Sequence, residues 1–214
     1  MGRNRLLDKN RECKMTFDFD NKIFINNEKE YEIVYLEDID ISSMAVIKER
    51  KHKESDTLNP YRIIYYDNLD NIYYKIWEKD YTNNRSFTKG MLNNVYDNDL
   101  ISPLKSLIFD KEQICRGYIT FEGEHSDKEL SELSELYNIC KKSISNSKWV
   151  SCDLVANNII KYNNKYSLID YDDIYPLEDI VVKNKTLFYK TNDNLYLIKP
   201  NYYNEYLFDT YFLN

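Results

Sequence analysis

Asp153-Leu154-Val155-Ala156-Asn157-Asn158-Ile159-Ile160 runs directly into Lys161-Tyr162-Asn163-Asn164-Lys165-Tyr166-Ser167-Leu168-Ile169-Asp170. Two short runs of aliphatic and aromatic residues flank Asn163-Asn164-Lys165. Asparagine tolerates left-handed backbone, so the spacing predicts a β-hairpin with its turn there. Asn158 and Asp170 are equidistant from Asn164. In a hairpin centred on that residue they face each other at the open end, with Cα atoms roughly 4.5–5.5 Å apart. The apolar residues between them anchor the hairpin in a core. Mg²⁺ is a hard cation that takes oxygen ligands, usually one or two from protein and the rest from water and phosphate. Asn158 and Asp170 are therefore candidate metal ligands.

Upstream, the chain reads as β-structure. Phe17 to Asn26, Tyr31 to Tyr35 and Met44 to Lys48 are rich in Ile, Val, Phe and Tyr. Tyr61 to Tyr66 and Ile72 to Trp77 flank the polar turn Asp67-Asn68-Leu69-Asp70-Asn71 and predict a hairpin. Leu104 to Phe109 and Ile114 to Ile119 flank Asp110-Lys111-Glu112 and predict another. Ser86 to Asn98 lacks β-branched runs and predicts a short helix. Ser126-Asp127-Lys128-Glu129 has the form of a capping box. Leu130, Leu133, Leu136, Tyr137 and Cys140 then recur at helical spacing, which predicts a helix of about five turns with one core-facing stripe.

The spacing D-L-x-x-x-N-I-I, followed by a hairpin ending L-I-D, resembles the catalytic loop and metal-binding aspartate of the protein-kinase-like superfamily. Ile169-Asp170-Tyr171-Asp172 looks more like its small-molecule and atypical branches. The resemblance implies an α+β, minimal protein-kinase-like fold: an N-terminal antiparallel β-sheet lobe over residues 1–122 and a reduced helical C-terminal lobe over residues 123–214. It implies ATP and Mg²⁺ as cofactors, with Asp153 as the base that receives a hydroxyl proton and Asn158 and Asp170 holding the metal. Lys75, in Ile72-Tyr73-Tyr74-Lys75-Ile76-Trp77, would reach the phosphates. The backbone of Thr120, Phe121 and Glu122, in a segment like an inter-lobe hinge, would pair with adenine.

The chain departs from the family's pattern in four places, one being the lack of an A-P-E signature after Asp172. No glycine lies between Lys51 and Pro60, no glutamate lies between Glu78 and Glu112, and Ser151-Cys152 stand where His-Arg would precede the catalytic aspartate. The expected activity is phosphotransfer from ATP to a hydroxyl-bearing protein or small molecule. The alternative is a pseudokinase-like module that binds nucleotide or a protein partner without transfer, with the Tyr202 to Phe212 tail as its contact.

A net charge of −7 and a pI near 5.0 argue against a duplex-binding protein, which needs a cation at each phosphate contact. Cys13, Cys115, Cys140 and Cys152 form no C-x-x-C pair, and the chain has 2 His, so a structural zinc site is not expected. The 21 tyrosines fit compositional bias better than a base-stacking surface. No apolar run approaches the ~20 residues needed to span a bilayer. The expectation is a cytoplasmic protein with reduced thiols, no membrane partner and no nucleic-acid partner.

Overall fold

The computed structural model describes residues 16–26, 29–50, 62–77, 104–129, 132–138, 149–151, 155–169, 174–184, 186–190 and 195–197. These fall into two compact units, divided between Glu122 and Gly123.

In the first unit, the β-branched and aromatic runs become eight strands: β1 (Thr16–Asp18), β2 (Ile23–Asn26), β3 (Lys29–Tyr35), β4 (Ala45–Arg50), β5 (Arg62–Asp67), β6 (Ile72–Trp77), β7 (Leu104–Phe109) and β8 (Cys115–Phe121). They form one sheet in the order β1-β2-β3-β7-β8-β6-β5-β4. Every neighbouring pair is antiparallel except β3 and β7, which run parallel. The central strands β7 and β8 are buried on both faces. On one face Ile72, Ile108 and Ile119 form a core to which Val34, Ile39 and Tyr74 are added. On the other, Ile33 and Leu107 pair across the parallel ladder and are fully buried. The rings of Phe17, Phe19, Phe24 and Phe109 extend that layer, at centroid distances of 5.2 to 5.8 Å. Each such side chain contributes roughly 1.5–3 kcal/mol on full burial.

Two local devices fix the centre of this sheet. Asp110, in the β7–β8 turn, is buried and accepts the N–H groups of Glu112 and Ile114 at 2.9 and 3.0 Å. Its second oxygen meets Arg116 at 3.3 Å, and the same guanidinium donates to the Trp77 carbonyl at 2.8 and 3.1 Å. The turn is thereby tied to the end of β6. Gly117 lies opposite Ile76, and a Cβ there would sit 2.0 Å from the Lys75 carbonyl oxygen. Only glycine lets β8 approach β6 this closely.

The second unit has β9 (Glu124–His125), β10 (Trp149–Ser151), β11 (Ile159–Tyr162), β12 (Lys165–Leu168), β13 (Ile174–Pro176), β14 (Ile180–Lys183), β15 (Thr186–Lys190) and β16 (Leu195–Leu197). They form three small antiparallel sheets, β12-β11-β9, β10-β13 and β14-β15-β16. The α-helix described in this unit spans 134–138, with the Tyr137 N–H bonded to the Leu133 carbonyl at 2.9 Å. Leu133 and Leu136 are buried, as the stripe requires, while Leu130 and Cys140 lie outside the described residues. The predicted capping box does not form. The Ser126 N–H goes to the Ile159 carbonyl at 2.8 Å, and its hydroxyl accepts from Lys128 at 3.1 Å. The Glu129 N–H is instead taken by the Glu132 carboxylate at 3.0 Å, so the helix begins later than the sequence suggests.

The expected α+β, minimal protein-kinase-like fold with a helical C-terminal lobe is therefore corrected. The described residues are mostly strand, the main sheet is eight-stranded and mixed, and little helix accompanies it. The physical reasons are local. Ile180-Val181-Val182 and Thr186-Leu187-Phe188-Tyr189 are β-branched or aromatic, and Asn184 takes φ 50° between them, so the segment after the β11–β12 hairpin turns back as a meander. At the front, β3 pairs in parallel with β7, a long-range pairing that no local pattern announces. Among the described residues no helix is long and apolar enough to cross a membrane. The predicted helix over Ser86 to Asn98, the segment from Lys51 to Pro60 and the Tyr202 to Phe212 tail lie outside the described residues.

Candidate functional site

The β11–β12 hairpin forms as its spacing predicts, with Ile159 opposite Leu168 and Tyr162 opposite Lys165. Asn163 and Asn164 make the two-residue turn with φ 48° and 62°, the backbone that asparagine tolerates best among residues with a Cβ. The hairpin is anchored on both faces, since Ile159, Ile160 and Ser167 are buried. Glu124 and His125 pair along the other edge of β11. Gly123 lies so close that a Cβ would sit 2.7 Å from Ile160 Cδ1.

This register corrects the geometry expected at the hairpin mouth. The turn has two residues, not three, so the centre lies between Asn163 and Asn164 and the residue opposite Asn158 is Ile169. The Ile169 N–H donates to the Asn158 carbonyl at 2.7 Å. Asn158 ends a short 3₁₀ turn, Ala156–Asn158, and donates its own N–H to the Val155 carbonyl at 2.8 Å. It is half-buried. Asp153 and Asp170 lie outside the described residues. Among the described residues no group of three or more His, Cys, Asp or Glu is placed to hold a metal ion. Among the described residues Asn158 belongs to no closed carboxylate cage.

In the first unit, Lys75 stands on β6 between β5 and β8, opposite Ile64 and Tyr118. Period two puts it on the face of Tyr73 and Trp77. It is 5% exposed, and its ammonium lies 5.6 Å from the ring centroids of both Trp77 and Tyr118. Each such contact contributes about 0.5–2 kcal/mol. Thr120 is buried on the same face, a diagonal neighbour of Lys75 at roughly 7–8 Å by sheet geometry. Its backbone lies in ladders on both sides, opposite Tyr73 and Leu104. Phe121 points to the other face and packs on the Ile72, Ile108 and Ile119 core.

Glu122 is exposed at the end of β8, and its N–H is donated to the Asn71 carbonyl at 2.9 Å. Its carboxylate accepts the Tyr66 hydroxyl at 2.9 Å and the Tyr73 hydroxyl at a long 3.5 Å. Tyr66 also lies 3.1 Å from the Asn71 side-chain oxygen. A phenol has one proton, and the charged acceptor holds it more strongly. Donation to Glu122 raises the Tyr66 pKa, and burial, reinforced by the Glu122 charge, raises that of Tyr73.

A cleft of about 380 Å³, formed by residues that sequence motifs do not single out, lies on the opposite face of the large sheet. Its lining includes Glu32, Asp38, Asp40, Asp67, Tyr74, Lys105 and Ser106. The acidic run Leu36-Glu37-Asp38-Ile39-Asp40 was its one local signal. Compared with known proteins, the chain matches no family model and no curated sequence.

Proposed function

We propose that this protein is an ATP- and Mg²⁺-dependent phosphotransferase acting on a hydroxyl group of a protein or small molecule. The observation that supports this most is the β11–β12 hairpin. Its two-residue turn and buried strands fix Asn158 at the hairpin mouth, where the chain leads through Ile169 into Asp170. In this reading Asn158 and Asp170 would hold Mg²⁺, which neutralises phosphate charge. Asp153 receives the proton of the acceptor hydroxyl, and Lys75 supplies positive charge to the phosphates. Such chemistry depends on positioning and charge neutralisation more than on covalent catalysis. The reading rests on the site residues, not on the class of fold.

A second reading, nucleotide binding without transfer, is favoured by one observation. The Lys75 ammonium lies close to two aromatic rings and is almost fully buried, a setting that serves binding and packing as well as catalysis. Asp153→Ala separates the two readings. Under the phosphotransferase reading this variant binds Mg-ATP as the wild type does but loses at least about a hundredfold in ATP turnover, the usual scale of a general base. Wild-type protein that binds Mg-ATP, with no turnover toward a panel of hydroxyl acceptors that Asp153→Ala removes, would leave the binding module as the function.

A further inference from the structure

One row of side chains crosses four strands of the first unit's sheet. The register sets Glu32 beside Ser106, Ser106 beside Ile119, and Ile119 beside Tyr74. This row floors the cleft of about 380 Å³, within the range of small-molecule sites. Consecutive strand residues ordinarily point to opposite faces. Here the register slips between Leu104 and Ser106, and both Lys105 and Ser106 line the cleft. Re-aiming a side chain in this way is what a β-bulge does.

Two independent observations single the cleft out. The first is charge: among the described residues, Glu32, Asp38, Asp40 and Asp67 line it against a single lining cation, Lys105. Asp38 is engaged by Lys22 at 2.9 Å. Asp40 Oδ1 is held by the Ser42 N–H and hydroxyl at 3.0 and 2.6 Å, and Asp67 Oδ1 by the Leu69 N–H at 2.9 Å. Their Oδ2 atoms have no hydrogen-bond partner among the described residues. The second observation is Ser106, which is 0% exposed and lines the floor. Its hydroxyl has no hydrogen-bond partner among the described residues. A buried hydroxyl left unpaired costs stability that a polar group of a ligand would recover.

The carboxylates are spread around the lining and do not form a metal cluster. They therefore suit an extended cation with separated charges better than a single ion. Tyr74 adds an aromatic surface of the kind that attracts organic cations. Its phenol titrates above the usual range, first through burial and then through the charges of Asp67, Asp70 and Glu32.

We propose that this cleft binds a small aliphatic diamine. One ammonium group lies against Asp40 and Asp67, the other against Glu32, and the hydrocarbon lies on Tyr74 and Ile119. The innermost N–H is taken by the Ser106 hydroxyl. The proposal is independent of the phosphotransfer reading, because none of its residues is assigned to ATP or Mg²⁺.

The test is calorimetric titration of the full chain with 1,4-diaminobutane at low salt, with butylamine as the single-charge control. Wild type should bind the diamine saturably at one site and butylamine at least about tenfold more weakly. Glu32→Gln and Asp67→Asn should each weaken diamine binding by about tenfold, and added NaCl should weaken it further. Glu32 is exposed, so its variant tests the charge without threatening the fold. Ser106→Ala should keep the protein folded and weaken the diamine. Absence of saturable binding overturns the proposal, as does equal affinity in wild type, Glu32→Gln and Asp67→Asn. Unchanged affinity in a folded Ser106→Ala overturns the role given to the floor.

Discussion

Lys75 stands opposite Tyr118 across the β6–β8 ladder, and its ammonium nitrogen lies 5.6 Å from the centroid of that ring. The adjacent Trp77 ring is at the same distance. The strand thus positions a cation within a largely aromatic layer. Lys75→Met keeps the apolar stem and removes the charge. The expected outcome is a cooperatively folding protein whose stabilisation by Mg-ATP is lost, read by thermal unfolding with and without ligand. Loss of cooperative unfolding in the variant would instead give the ammonium a structural role.

Gly117 permits that arrangement. A Cβ there would lie 2.0 Å from the Lys75 carbonyl oxygen, a backbone atom that cannot swing aside. Gly117→Ala must push β8 away from β6, and overpacking of this kind costs roughly 1–3 kcal/mol. A matching drop in stability, measured by urea unfolding, is the expected result. An unchanged midpoint would mean that the two strands separate at no cost.

Cys115 supplies a pH-dependent test of the same core. Burial pushes its thiol up to about 12, from an ordinary value of 9.0. The folded state therefore favours the protonated form more than the unfolded state does. Its contribution is complete below pH 9 and is lost as pH rises from 9 towards 12. Stability should fall with pH across that window, and Cys115→Ala should make the fall less steep by one proton. The native thiol should also resist an aromatic disulfide reagent at neutral pH, since the thiolate is the reactive form. Rapid labelling of Cys115 in the folded protein would contradict its burial.

Much of the strand layout was legible because it is written in local patterns. Ile72–Trp77 and Leu104–Phe109 occupy the runs that their composition predicts, and the turn at Asn163 and Asn164 follows from the asparagine pair. What could not be read was long-range. The parallel pairing of β3 with β7 joins residues far apart in sequence, and it brings Glu32 beside Ser106. Ser106 by itself is an ordinary strand serine; the bulge before it and the pairing beside it give it a place in a cleft. The hairpin mouth shows a finer limit. Counting a three-residue turn set Asn158 against Asp170, while the two-residue turn sets it against Ile169. Shifting a register by one residue exchanges the faces of a strand, so turn length decides which side chains meet. The helix start was missed for a similar reason, because the Ser126 N–H was claimed by the Ile159 carbonyl.

The most direct test of the phosphotransferase reading is thermal unfolding with millimolar ATP, with and without Mg²⁺, on wild type and Asp170→Ala. A ligand that binds only the native state raises stability by RT ln(1 + [L]/Kd), about 2.7 kcal/mol at a hundred times Kd. The predicted result is a magnesium-dependent rise in wild type that Asp170→Ala loses while remaining folded. No shift in wild type, or an equal shift in both proteins, would contradict the nucleotide and metal assignment.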